Sequence, residues 1–167
     1  MNCILAGVGG QGTVLASKLI ARTALNNSMH GRTAETIGMA QRGGCVVSHV
    51  RTGKIIHSPL IPLGQADLII GFEPAEAVRC LPYLKKEGTV VVNRKAIRPV
   101  SASLSGSGYD GEEMILYLKE QVPNLVLVDG EAICRTVGSA KVLNVVLLGA
   151  AMASGALDIT KEQMEKA

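Results

Sequence analysis

Residues 3–25 read CILAGVGGQGTVLASKLIARTAL. NCILAG (2–7) is a short apolar strand ended by glycine. GTVLASKLIARTAL (12–25) carries apolar side chains at Val14, Leu15, Leu19 and Ile20, with Ala16, Ala21 and Ala24 between them, which is helical periodicity. Between strand and helix, Gly7, Gly9 and Gly12 satisfy G-x-G-x-x-G. Glycines there let the backbone turn tightly and approach an anion, and the helix N-terminus offers free N–H groups and partial positive charge. A strand, a glycine turn and a helix in this order point to an α/β fold.

The same order recurs downstream. ADLIIGF (66–72), GTVVVN (88–93) and NLVLVDG (124–130) read as buried strands. EPAEAVRCLPYLKK (73–86), GEEMILYLKEQV (111–122), EAICRTV (131–137) and the nearly all-apolar AKVLNVVLLGAAMAS (140–154) read as helices, the first opened by Pro74 and shortened or kinked by Pro82. Thr160 and Gln163 have capping-box spacing, opening a last helix about two turns long. RTAE (32–35) is a short strand, and CVVSHVRTGKIIHSP (45–59) reads as a hairpin around a Thr52-Gly53 turn. We therefore expect one domain over 1–167: a doubly wound, mostly parallel sheet with an inserted antiparallel hairpin, in three α/β/α layers.

Composition narrows the function. The chain has 167 residues, enough to bury roughly 70% of its unfolded surface. Seventeen basic and 14 acidic residues leave a net charge of +3, too balanced to imply nucleic acid. With no Trp and one Phe there are few rings for bases to stack on. No apolar run reaches the ~20 residues that span a bilayer, and MNCILAGVGG lacks the basic start of a signal peptide, so no membrane partner and a cytoplasmic location are expected. Cys3, Cys45, Cys80 and Cys134 form no C-x-x-C pair and read as buried small hydrophobes; no metal site is expected here.

The glycine loop admits three readings. It holds a dinucleotide, with Glu35 twenty-three positions beyond Gly12 as the ribose acid. It is only a turn for close strand-to-helix packing. Or it faces another ligand or a partner. Gln11, beside Gly9-Gly10, sets a bulky amide where the loop would hug a pyrophosphate, and HGRTAE is polar for a central strand. A second constellation is AQRGG, where Arg42 precedes Gly43 and Gly44 and offers a planar fork of donors to phosphate or carboxylate. His49 and His57 lie on the expected hairpin; no nucleophile and carboxylate pair with His49 at triad spacing, and no catalytic residue is assigned. Asp67, Glu73 and Glu76 are the remaining carboxylate candidates, Glu73-Pro74 suiting a helix start.

GVGGQGTVLASKLIARTAL, ETIGMAQRGGCVVSHVRTG, IHSPLIPLGQADLIIGFEPAEAVRCLPYL, GTVVVN and AKVLNVVLLGA occur in an order that resembles the gamma domain of the 2-oxoacid:ferredoxin oxidoreductases, most closely the beta-subunit type of the indolepyruvate enzymes. The resemblance covers nearly the whole chain. It implies a non-redox subunit of a complex that converts a 2-oxoacid and CoA to acyl-CoA and CO2 while reducing ferredoxin. It places thiamine diphosphate, Mg2+ and [4Fe-4S] clusters in a partner alpha subunit. VDGEA (128–132) has only the Asp-Gly of the metal-holding thiamine motif. The shared-site loops would then be Gly7, Gly9, Gly10, Gln11 and Gly12 with Arg42, Gly43 and Gly44. Arg42 would screen a CoA phosphate or a substrate carboxylate. Such relatives are expected to continue past the helix at Thr160, which bears on docking. The alternatives are a free-standing NAD(P)-binding module and a regulatory or scaffold homologue without turnover.

Overall fold

A computed structural model describes residues 1–37, 44–98 and 108–167 of the chain. Six strands form one sheet: β1 (Asn2–Val8), β2 (His30–Ile37), β3 (Cys45–Gly53), β4 (Ala66–Gly71), β5 (Leu84–Asn93) and β6 (Asn124–Val128), in the order β2-β3-β1-β4-β5-β6. β1, β4, β5 and β6 pair in parallel, and β3 is antiparallel to both β1 and β2. The helices are α1 (Thr13–Asn26), α2 (Pro74–Cys80), α3 (Glu112–Gln121), α4 (Gly130–Val137), α5 (Leu143–Ala153) and α6 (Lys161–Glu165).

Strand alternation splits the core in two. Cys3 and Leu5 of β1, with Leu68 and Ile70 of β4, pack against Ala16 and Ile20 of α1 and Leu147 and Ala151 of α5. Ile4 and Ala6, with Ile69, Val90 and Val92, pack against Ala77 and Cys80 of α2 and Leu118 of α3. The result is the expected three layers, with β1, β4 and β5 apolar on both faces because helices cover both. α1 leads from β1 outward to β2 over one face, whereas α2 leads from β4 to β5 over the other. The sheet therefore reverses its winding between β1 and β4, and the crevice at their carboxyl ends is where ligands of open α/β sheets bind.

The hairpin differs from expectation. β3 ends at Gly53, and its hairpin partner is β2, which pairs with it from His30↔Gly53 to Ile37↔Val46. RTAE is the middle of an eight-residue edge strand. Residues 54–65 form no strand; buried Ile56 and Ile61 anchor them while Ile55 stays 76% exposed. The helix expected over 73–86 stops at Cys80, Pro82 sits in a single 3₁₀ turn, and Leu84 already begins β5. The caps read from sequence hold. The Glu73 carboxylate accepts the Glu76 N–H at 3.1 Å, and Thr160 and Gln163 form a reciprocal capping box. No helix among the described residues is long and apolar enough to cross a membrane.

Candidate functional site

The glycine loop leaves β1 at the point where the winding reverses. Gly10 and Gly12 have φ of +99° and +84°, a region that favours glycine. Gly7 is required by proximity instead: a Cβ there would lie 2.7 Å from Gln11 Oε1 and 2.8 Å from Phe72 Cβ. The Gly9 N–H donates to the Gly44 carbonyl at 2.9 Å, so the start of β3 is tied to this loop.

Gln11 folds back over Gly7. Its Oε1 accepts the Val8 N–H at 2.8 Å, and its Nε2 donates to the Phe72 carbonyl at 2.9 Å. Asn93, 2% exposed at the end of β5, donates from Nδ2 to the same carbonyl at 3.3 Å. Asn93 Oδ1 in turn accepts the Gly130 N–H at 3.2 Å, at the start of α4. Two side-chain amides thus meet at one carbonyl and link the loops that follow β1, β4, β5 and β6. Gly130 has no room for a side chain either, since a Cβ would sit 2.5 Å from Leu143 Cδ1 and 2.8 Å from Asn93 Oδ1.

Beside this junction lies a cleft of about 660 Å³, bounded by Gly10, Gln11 and Gly12, by the end of β5 and by α4 and the start of α5. Its walls are mostly apolar, with Leu15, Ile97, Cys134 and Leu143 among them. Lys95, Arg135 and Lys141 bring three positive charges, against one negative charge from Glu131. Glu131 pairs with Lys95 at 2.9 Å and Arg135 at 3.6 Å; Lys141 has no ion pair among the described residues. Asn144, 4% exposed, packs its amide against Gly12 and turns its oxygen to the Val145 N–H at 2.9 Å. The arrangement suits an anion carried on an apolar body: cations and an amide at the wall, free N–H groups in the first turn of α1.

Of the residues singled out in the sequence, Gly10, Gln11 and Gly12 line the cleft, Gly7 lies beneath it, and Gly9 and Gly44 meet on its β3 side. Arg42 and Gly43 fall outside the described residues. Glu35 does not complete a dinucleotide site. β3 stands between its strand and β1, and its carboxylate accepts the Ser17 hydroxyl of α1 at 3.4 Å. His49 is buried, its Nδ1 accepts the Ile61 N–H at 3.2 Å, and Tyr83 meets it edge-on; burial holds its imidazole below the usual range. Asp67 takes the Asn2 N–H and the Lys85 ammonium. Burial alone would raise its carboxyl, but these two donors outweigh that and hold it below the usual range. Glu73, 2% exposed, accepts the Tyr109 hydroxyl as well as the Glu76 N–H. These groups brace the fold away from the cleft.

Among the described residues no three His, Cys, Asp or Glu side chains come together to hold a metal. Burial pushes the Cys80 thiol up to about 12, and burial with the neighbouring Glu76 pushes Cys45 to about 11, so neither is a ready thiolate ligand. Asn93, Asn144, Arg135 and Lys141 escaped the sequence reading. Asn93 ends an apolar strand and Asn144 interrupts an apolar helix, and each such polar exception is a usable signal.

The chain matches the model of the family described as pyruvate ferredoxin/flavodoxin oxidoreductase over residues 2–167. It is 39% identical to indolepyruvate oxidoreductase subunit IorB of Archaeoglobus fulgidus, spanning all of this chain and 83% of that one. It is 28% identical to the pyruvate/ketoisovalerate oxidoreductases common subunit gamma of Pyrococcus furiosus, over 96% of this chain and 80% of that one. In structure it is similar to the gamma subunit of a keto/oxoacid ferredoxin oxidoreductase from Geobacter sulfurreducens, with TM-score 0.66, 20% identity, and 99% and 82% of the two chains covered. It is also similar to 26% of the chain of 2-oxoglutarate:ferredoxin oxidoreductase from Magnetococcus marinus, with TM-score 0.71, 16% identity and 99% of this chain covered.

Proposed function

Because the chain belongs to the pyruvate ferredoxin/flavodoxin oxidoreductase family, we propose that it is the non-redox subunit of a 2-oxoacid:ferredoxin oxidoreductase of the arylpyruvate, indolepyruvate-like type. The complex converts a 2-oxoacid and CoA to acyl-CoA and CO2 and passes the electrons to ferredoxin. Thiamine diphosphate with Mg2+ supplies the decarboxylation chemistry, and [4Fe-4S] clusters carry the electrons, all in a partner alpha subunit. The observation that carries this reading is the family match over the whole described fold, joined to a subfamily likeness of 39% identity.

Cys3 lies on the face of the sheet under α1, Cys80 on the opposite face with Cys45 near enough to raise its thiol further, and Cys134 at the cleft. What the chain offers is a binding wall. Lys141, Arg135 and Lys95 neutralise phosphate, the Asn144 amide and the first turn of α1 donate hydrogen bonds, and Leu15, Ile97 and Leu143 exclude water. We assign this wall to CoA, with Gly10, Gln11 and Gly12 as its rim and Gly44 tied to that rim through the Gly9 N–H.

Co-expression with the thiamine-binding partner should yield a brown complex that reduces ferredoxin when indolepyruvate and CoA are both present. A partner that turns over fully without this chain would refute the reading.

A further inference from the structure

We infer that Gln11 is a built-in occupant of the phosphate seat of its own glycine loop, and so the residue that excludes a dinucleotide from this site. The outward features of such a site are present. The loop has the spacing, two of its glycines are left-handed, a 14-residue helix follows, and the crevice lies at the reversal of winding. In such loops, backbone N–H groups receive phosphate oxygens, and a side-chain-free glycine lets the pyrophosphate close in.

Here both openings are taken by one side chain. The Val8 N–H points into the crevice, and Gln11 Oε1 accepts it at 2.8 Å. The space freed by the missing Gly7 side chain is filled by the same oxygen, 2.7 Å from where a Cβ would be. The other end of the amide donates to the Phe72 carbonyl at 2.9 Å and closes the gap between β1 and β4. A neutral amide thus gives the N–H its acceptor without a charge, and it presents a carbonyl oxygen where an anion would need a donor. A second observation agrees independently: Glu35, the acid that would hold the ribose, sits across β3 from β1. A ligand of this loop therefore enters from the cleft side, along Gly10, Gly12 and Asn144, and not through the crevice.

The test uses the full chain labelled with ¹⁵N and titrated with inorganic pyrophosphate and, separately, with NADH. The Val8 amide resonance is the reporter because its N–H is the one Gln11 occupies. In the native chain it should stay in place. In Gln11→Gly it should move saturably with pyrophosphate, with an apparent affinity about tenfold or more above the native chain. Gln11→Glu, which keeps an acceptor oxygen but adds negative charge, should be silent. Gln11→Ser replaces the glycine variant if circular dichroism shows the latter unfolded. A native Val8 resonance that moves as readily as the variant's overturns the inference. So does a folded glycine or serine variant silent at Val8, or one in which only Gly12 and Asn144 respond. None of these outcomes involves the partner subunit, so the assignment of the complex stands or falls separately.

Discussion

Removing both amides that meet at the Phe72 carbonyl should cost more than the two single truncations added together. Gln11→Ala strands the Val8 N–H but leaves Phe72 O with Asn93; Asn93→Ala strands the Gly130 N–H but leaves Phe72 O with Gln11. An orphaned buried donor costs ~1–3 kcal/mol. Gln11 borders the cleft, where water replaces part of what is lost, so its truncation belongs near ~1 kcal/mol. Asn93 is 2% exposed and its Oδ1 serves a buried glycine, so its truncation belongs near ~3 kcal/mol. Only the double variant leaves the Phe72 carbonyl with neither amide, which adds ~1 kcal/mol of coupling. Urea unfolding of the four proteins, followed by circular dichroism at constant m-value, measures each quantity. For a chain of this length each kcal/mol also lowers Tm by ~2–4 °C. A double variant equal to the sum of the singles to within ~0.3 kcal/mol would mean that the two amides do not share the carbonyl.

Three further perturbations follow from the same geometry. Gly7→Ala should destabilise by ~1–3 kcal/mol through overpacking against Gln11 and Phe72, whereas Gly149→Ala, inside α5 where the new methyl meets nothing within 4 Å beyond its neighbours and the backbone of its own helix, should stabilise by ~0.5–1 kcal/mol; thermal melts of both check the contrast. His49 has a lowered pKa in the folded chain, so it contributes stability above the unfolded value of ~6.5 that is lost as pH falls through the folded one. The urea midpoint should decline from pH 7 to pH 5, and His49→Leu should flatten that decline; an unchanged slope refutes the role, since the Asp67 contribution is lost only below about pH 4. In the assembled enzyme Lys141→Glu should raise the KM for CoA by at least about fivefold with little change in the KM for the 2-oxoacid, because a weakly screened ion pair is worth ~1 kcal/mol; equal rises in both would place CoA elsewhere.

The buried parallel strands were legible because helices cover both their faces. CILA, LIIG and TVVV are continuous apolar runs, and nothing competes with that signal. The edge was not. β2 is polar, lies at the rim of the sheet, and takes its pairing from β3 along eight residues, a long-range choice that no local propensity encodes. Thr52-Gly53 resembled a hairpin turn because Ile55 and Ile56 follow it. Yet only Ile56 is buried, as a loop anchor, and alternation over so few residues cannot separate an anchor from a strand. Leu84-Lys85-Lys86 read as the end of a helix, but Pro82 had already broken it, and the lysines begin an exposed stretch of β5.

The glycine turn was legible in the sequence, and its chemistry was not. A G-x-G-x-x-G spacing states where a backbone turns and where side chains are missing; it does not state what fills the space. Two glycines of this loop are explained by their φ, but Gly7 is explained by the close approach of Phe72 and of Gln11, the residue that looked like an intrusion. The intrusion is a structural member: its amide holds the strand ends together and meets Asn93 at the same carbonyl. Among the described residues the crevice is taken up by this internal contact, and the cleft wall stays open to a ligand.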